Sequence, residues 1–170
     1  IEKSYVYIAV CLDKLQAPEK EVLKSFVKAS MRDHFGQYLY DFSKELICEF
    51  EQLGVLNHVI SASPHLFVQE LAEILPIPQE RLFGIDYHLI VSGKDPIIHH
   101  GKGKVERLEF IVEQAPRYKK IVPVFAAGNS LISDGPMINK VCSLDGIGLI
   151  LHAADDDTSN IHHRALRMVL

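Results

Sequence analysis

Apolar runs of strand length alternate along this chain with segments of helical period, and that alternation constrains the fold more than any other feature. Val55 to Ser61 reads as a strand, and Pro64 then opens a helix with Leu66, Phe67, Leu71 and Ile74 inward, closed by Pro76 and Pro78. A helix from about 103 to 115 leads to a strand from Ile121 to Ala126, a loop over 127–136, a further strand near Gly146 to Leu151 and a short C-terminal helix. Strands separated by helices imply a mainly parallel, doubly wound α/β sheet, with its ligand crevice at the carboxyl ends of the strands. Before the first strand the pattern is helical. Pro18 opens a helix to about residue 30 with Val22, Leu23, Phe26 and Val27 on one face, and a second runs from about 38 to 53 and stops at Gly54. Between Leu82 and His100, β-rich runs flank Ser92-Gly93-Lys94-Asp95 and read as a hairpin.

With 170 residues the chain fits one domain of usual size. Its 18 Lys and Arg against 22 Asp and Glu give a net charge of -4, which supplies no basic field for nucleic acid or an anionic membrane. Cys11, Cys48 and Cys142 are odd in number and lack CxxC spacing, so they form neither a disulfide framework nor a thiolate metal knot, and a reducing cytoplasm is expected. No apolar stretch approaches the roughly 20 residues of a membrane span, and no signal-peptide pattern follows Ile1. Beginning at Ile rather than Met, the chain is expected to have a longer natural N-terminus.

Three segments place polar residues at the predicted crevice. Ser61 follows the apolar run of its strand, so its hydroxyl and the amides of Ala62 and Ser63 can donate to phosphoryl oxygens; the plainer alternative has Ser63 capping the next helix. Lys102 lies between Gly101 and Gly103 at a helix start, where flexible backbone can turn its ammonium inward, or leave it solvated. Val124 to Ala127 runs into Gly128-Asn129-Ser130, with Asp134 five positions after Asn129. Two oxygen ligands from one loop suit Mg²⁺, which takes few protein carboxylates and keeps several waters; an Asx turn capping a helix is the structural alternative.

In that order the segments resemble motifs II, III and IV of the haloacid-dehalogenase superfamily, in its phosphoserine-phosphatase-like branch, over roughly residues 37–160. Ile60-Ser61 matches motif II, Lys102 within GKGKV motif III, and Gly128-Asn129-Ser130 through Asp134 motif IV. The resemblance implies a Rossmann-like core, a mainly parallel three-layer α/β/α sheet over residues 37–170, with residues 1–36 as part of a small helical cap. It further implies a Mg²⁺-dependent phosphomonoester hydrolase acting on a small phosphorylated metabolite through an aspartyl-phosphate. Ser61, Lys102 and Asp134 would be catalytic, Ser61, Ala62, Ser63 and Lys102 would hold the phosphate, and Asn129 with Asp134 would meet the metal.

Two departures stand out. The Asp-x-Asp of motif I has no match, which places the nucleophile upstream of Ile1; the competing register makes Tyr5 to Leu12 the first strand and Asp13 the nucleophile, with Leu15 where the second Asp belongs. Asn129 stands where the family carries Asp, which lowers the charge offered to the metal. The alternative function is therefore an inactive family member that binds a phosphorylated ligand or a protein partner. His99-His100 and His162-His163 read as surface histidines, Asp155-Asp156-Asp157 as a solvated loop, and His34, Phe35 and Tyr38 receive no role.

Overall fold

The computed structural model describes residues 2–95, 97–115, 121–152 and 157–169. The chain divides into two compact units, Ile1–Pro96 and Ile97–Leu170. Both are mixed α/β with parallel strands.

The first unit begins with helices α1 (Glu2–Asp13) and α2 (Ala17–Asp33). Because α1 runs to Asp13, the register with a strand over Tyr5 to Leu12 is overturned: Asp13 closes a helix. α2 starts as its sequence suggests, with Pro18 in the first turn and the Glu19 carboxylate accepting from the Gln16 N–H at 2.8 Å. Its inward face keeps only part of the expected one, Val27 with the half-buried Leu23. Val27 and Met31, spaced by four, are buried, while Val22 and Phe26 are 72% and 68% exposed. α3 (Asp41–Gln52) ends where Gly54 adopts φ 75°, and Val55 N–H bonds back to the Phe50 carbonyl while Asn57 N–H goes to Glu51 Oε1. Those bonds commit residues 55–57 to the helix end. Strand β1 therefore spans Val59–Pro64 rather than starting at Val55.

β1 pairs in parallel with β2 (Leu82–Ile85), Val59 opposite Leu82 and Ile60 opposite Phe83. The connection is a short helix α4 (His65–Val68) continued by a 3-10 turn over Gln69–Glu73. Val68, Leu75, Ile77 and Leu82 form this unit's core, with Leu39, Ile47 and Leu71 packed around it. The hairpin expected over 82–100 is not there. The Asp86 carboxylate accepts from the Leu89 N–H at 3.2 Å and starts α5 (Tyr87–Val91), which ends at Gly93 with φ 69°. Ser92-Gly93 is thus a helix exit, and among the described residues 94–100 none lies in a strand.

The second unit holds α6 (Lys102–Gln114), β3 (Phe125–Gly128), α7 (Gly135–Ser143), β4 (Ile147–His152) and β5 (Ala165–Val169). Its strands form one parallel sheet in the order β3-β4-β5, with Phe125 opposite Ile147 and Gly148 opposite Ala165. β3 begins four residues later than the apolar run suggests because its neighbour β4 begins at Ile147. The C-terminal element is a strand and not a helix: five residues carry too little periodicity to tell the two apart, and β4's open edge offers backbone partners. Ile138, Val141 and Cys142 on α7 pack on Ala126, Ile150 and Ala165, all buried. Gly148 permits that approach, since a Cβ there would lie 2.5 Å from Ile138 Cγ2.

Candidate functional site

At the carboxyl end of β3 the chain turns through Asn129 and Ser130 before α7, and the turn closes on the Asp134 carboxylate. Asn129 N–H and Ser130 N–H donate to Asp134 Oδ2 at 2.9 and 3.0 Å, and Ser130 Oγ accepts from the Ser133 N–H at 3.0 Å. Gly128 is required here because a Cβ would run into the Asp134 side chain. The other oxygen, Oδ1, accepts from Lys104 Nζ at 2.5 Å, and the side chains of Lys104 and Asp134 are only 10% and 7% exposed. Two charges so far from water are tolerable only when paired and hydrogen-bonded, and these are both.

The lysine arrives by an equally specific route. Gly101, at φ 54°, donates its N–H to the Ser133 carbonyl at 3.1 Å, so the start of α6 is tied to the loop before α7. At Gly103 a Cβ would collide with the Ile98 carbonyl. These glycines let α6 begin against the β3 loop, two turns of backbone that carry Lys104 inward. Lys102, the lysine singled out by its flanking glycines, is the first residue of α6 and is exposed. Helical phase holds the signal that distinguishes them. Lys104, Leu108 and Ile111 fall at i, i+4 and i+7 on one stripe, whereas Lys102 lies off it.

Asn129 has an exposed side chain. Its carboxamide and the Asp134 carboxylate are the oxygen donors this loop can turn to a cation, and Asp134 already carries an ammonium and two amides. Among the described residues no three His, Cys, Asp or Glu side chains converge on a metal position. Mg²⁺ demands octahedral oxygen coordination anchored by carboxylates, so these residues do not by themselves form a magnesium site.

A second set of polar groups belongs to the first unit. Ser61 Oγ, half-buried on β1, accepts from the Ser63 N–H at 3.1 Å, and Ala62 is buried. Ser63 does not cap the following helix: the N-cap is Pro64 and no side chain caps it. One amide expected to face a phosphoryl group is thus turned onto the neighbouring hydroxyl. Ser61 retains its own O–H as a donor.

His99 is no surface histidine. It is 1% exposed, and its Nε2 lies 2.9 Å from Arg107 Nε, which is buried as well and also stacks on Phe110 at 5.0 Å. Arginine can only donate, so His99 accepts at Nε2. His162 and His163 stack at 4.3 Å near the surface, and Asp155 and Asp156 lie outside the described residues. No helix among the described residues is long and apolar enough to cross a membrane. Compared with known proteins, the chain matches no family model, no curated protein and no solved structure.

Proposed function

We propose that this chain is a phosphomonoester hydrolase of the haloacid-dehalogenase type, phosphoserine-phosphatase-like, acting on a small phosphorylated metabolite. The observation that supports this reading best is the meeting of GKGKV and the Gly128 to Asp134 loop on one buried ion pair. The family resemblance requires a motif III lysine beside a motif IV acid, and Lys104 and Asp134 are such a pair. The assignment moves motif III from Lys102 to Lys104.

An ammonium carries three donors. Asp134 engages one and fixes the group's position, which leaves two N–H bonds to spread over phosphoryl oxygens as negative charge develops there. The resemblance also assigns the phosphate a hydroxyl from Ser61, which lies within β1 of the first unit. The Asp-x-Asp pair that would accept the phosphoryl group follows no strand among the described residues. β1 and β3 are edge strands of their respective sheets, so each unit has an open side where one more parallel strand can pair, as the three-layer Rossmann-like core of this reading requires. Mg²⁺ belongs to the chemistry that the resemblance implies. Because the donors here fall short of a magnesium site, the reading routes no step through it.

A second reading has its own observation. Asn129 is neutral where the family has a carboxylate, and both Asp134 oxygens are already occupied, which favours a protein that keeps the lysine for binding a phosphorylated ligand without turning it over. One experiment divides the two: release of phosphate from p-nitrophenyl phosphate by the full chain in buffered MgCl₂, with inorganic phosphate binding measured in parallel. Turnover that drops about 100-fold or more in Lys104→Ala and stays within about twofold in Lys102→Ala supports the hydrolase. Phosphate binding that depends on Lys104 without turnover supports the binder. If Lys104→Ala changes neither quantity, both readings fall.

A further inference from the structure

In the first unit, the carboxyl ends of β1 and β2 open into a cavity of about 500 Å³. That is the end of a parallel sheet at which ligands bind, and the volume lies within the roughly 300–1,000 Å³ of small-molecule sites. Pro64, Leu66 and Ile85 give it apolar walls. Three side chains with a fixed charge at neutral pH line it as well: Asp13, Lys20 and Asp86. Two of these cancel, since Lys20 Nζ donates to the Asp13 carbonyl at 3.1 Å and lies 4.0 Å from its carboxylate. Asp86 remains. Its Oδ1 accepts from the Leu89 N–H, and among the described residues no lysine or arginine forms an ion pair with it.

The neighbouring imidazole does not supply the missing cation. His65 is more than half buried, and burial holds its pKa below the ordinary histidine value against the pull of Asp86 and Asp95. The Gly84 N–H points at His65 Nδ1 from 3.4 Å, which assigns the proton of the neutral ring to Nε2. The cavity therefore offers an uncompensated carboxylate, a neutral donor and an apolar wall.

We infer that this cavity binds a small primary ammonium compound with an apolar body, its charge against Asp86 and its carbon chain along Leu66 and Ile85. The inference rests on the first unit alone and stands apart from the phosphoryl reading. The probe is n-butylammonium, compared by calorimetry on the full chain with n-butanol and n-butyrate, which share its carbon chain and differ in charge. Binding of the ammonium roughly 10-fold or more tighter than the alcohol is expected, with butyrate weakest. Asp86→Asn should erase that preference and leave the alcohol's affinity in place, because Asn keeps the helix cap and loses only the charge. Equal affinities for ammonium and alcohol in the unaltered chain would overturn the proposal without recourse to any variant. So would absence of binding, or an ammonium affinity unchanged in Asp86→Asn.

Discussion

Asp86 and Asp134 occupy equivalent places in the two units, and the protein uses them in opposite ways. Each follows a parallel strand and stands at the N-cap of the next helix. Asp86 caps that helix directly through the Leu89 N–H and remains half-exposed. Asp134 turns back instead, to the amides of Asn129 and Ser130 and to Lys104, and is 5% exposed. Burial accounts for the difference. A carboxylate withdrawn from water must have its oxygens satisfied by the protein, whereas one at a cavity mouth can leave an oxygen to solvent or to a ligand. An acid at a strand end is therefore not a ligand site by position alone; its remaining hydrogen-bonding capacity decides.

Truncating the two carboxylates should break the comparison most sharply. Asp134→Ala strands a buried ammonium and two loop amides, and losing one partner of a buried pair costs about 3–5 kcal/mol. Asp86→Ala removes a helix cap, a loss of about 1 kcal/mol. Urea unfolding of the full chain, followed by amide hydrogen exchange at Asn129, Ser130 and Leu89, reads both. Comparable losses would mean that the Lys104 pair is no more structural than an ordinary cap.

A smaller difference should appear at two glycines that let a helix approach a strand. At Gly84 a Cβ would lie 2.5 Å from His65 Cα and 2.8 Å from its backbone N, atoms that cannot move without displacing the chain. At Gly148 the obstacles are Ile138 Cγ2 at 2.5 Å and Cys142 Sγ at 2.9 Å, side chains that can rotate. Overpacking costs about 1–3 kcal/mol, so Gly84→Ala should fall at the upper end and Gly148→Ala at the lower. The reverse order in urea midpoints would show that the α7 core is the stiffer of the two.

The features readable from the sequence are those in which one residue type dictates the local backbone. Pro18 starts α2, Gly54 stops α3, and the run into Gly128 gives a strand and a turn as expected, followed by the helix α7 that was the structural alternative to a metal loop. What was not readable depends on partners distant in sequence. β2 is a strand because β1 lies beside it, so the β-rich run from Leu82 was legible but its partner was not. The same holds for β5 beside β4. Phase errors explain the rest: of the face named for α2, Val27 is buried but Val22 and Phe26 are exposed and Met31 takes their place, and α6 buries Lys104 while Lys102 is exposed. In each case a polar or apolar side chain was placed by residue type, when its position on the helical stripe decides what it meets. At the β3 loop this meant that the turn was legible, while the lysine that pairs with Asp134 was not.

Acid should weaken the first unit through its histidines, by a smaller increment than the substitutions above. Burial lowers the pKa of both His58 and His65; the Leu56 carbonyl partly offsets this at His58, and Asp86 with Asp95 at His65. A histidine with a folded pKa below its unfolded value of about 6.5 takes up its proton more readily in the unfolded chain. Its contribution to stability is therefore complete above about pH 6.5 and is lost as pH falls through the folded pKa. Urea titrations at pH 7 and pH 5, followed by NMR signals from β1 and β2, should show the midpoint moving down in acid, and His58→Gln with His65→Gln should flatten that shift. Both rings are only partly buried, so solvent screening keeps the effect modest. An unchanged acid shift in the double variant would assign the sensitivity to other groups, but not to the Glu51 carboxylate. Burial raises its pKa, but hydrogen bonds from Asn57 and Arg81 outweigh that and leave it lowered, so its own contribution persists until the pH falls below the ordinary glutamate range.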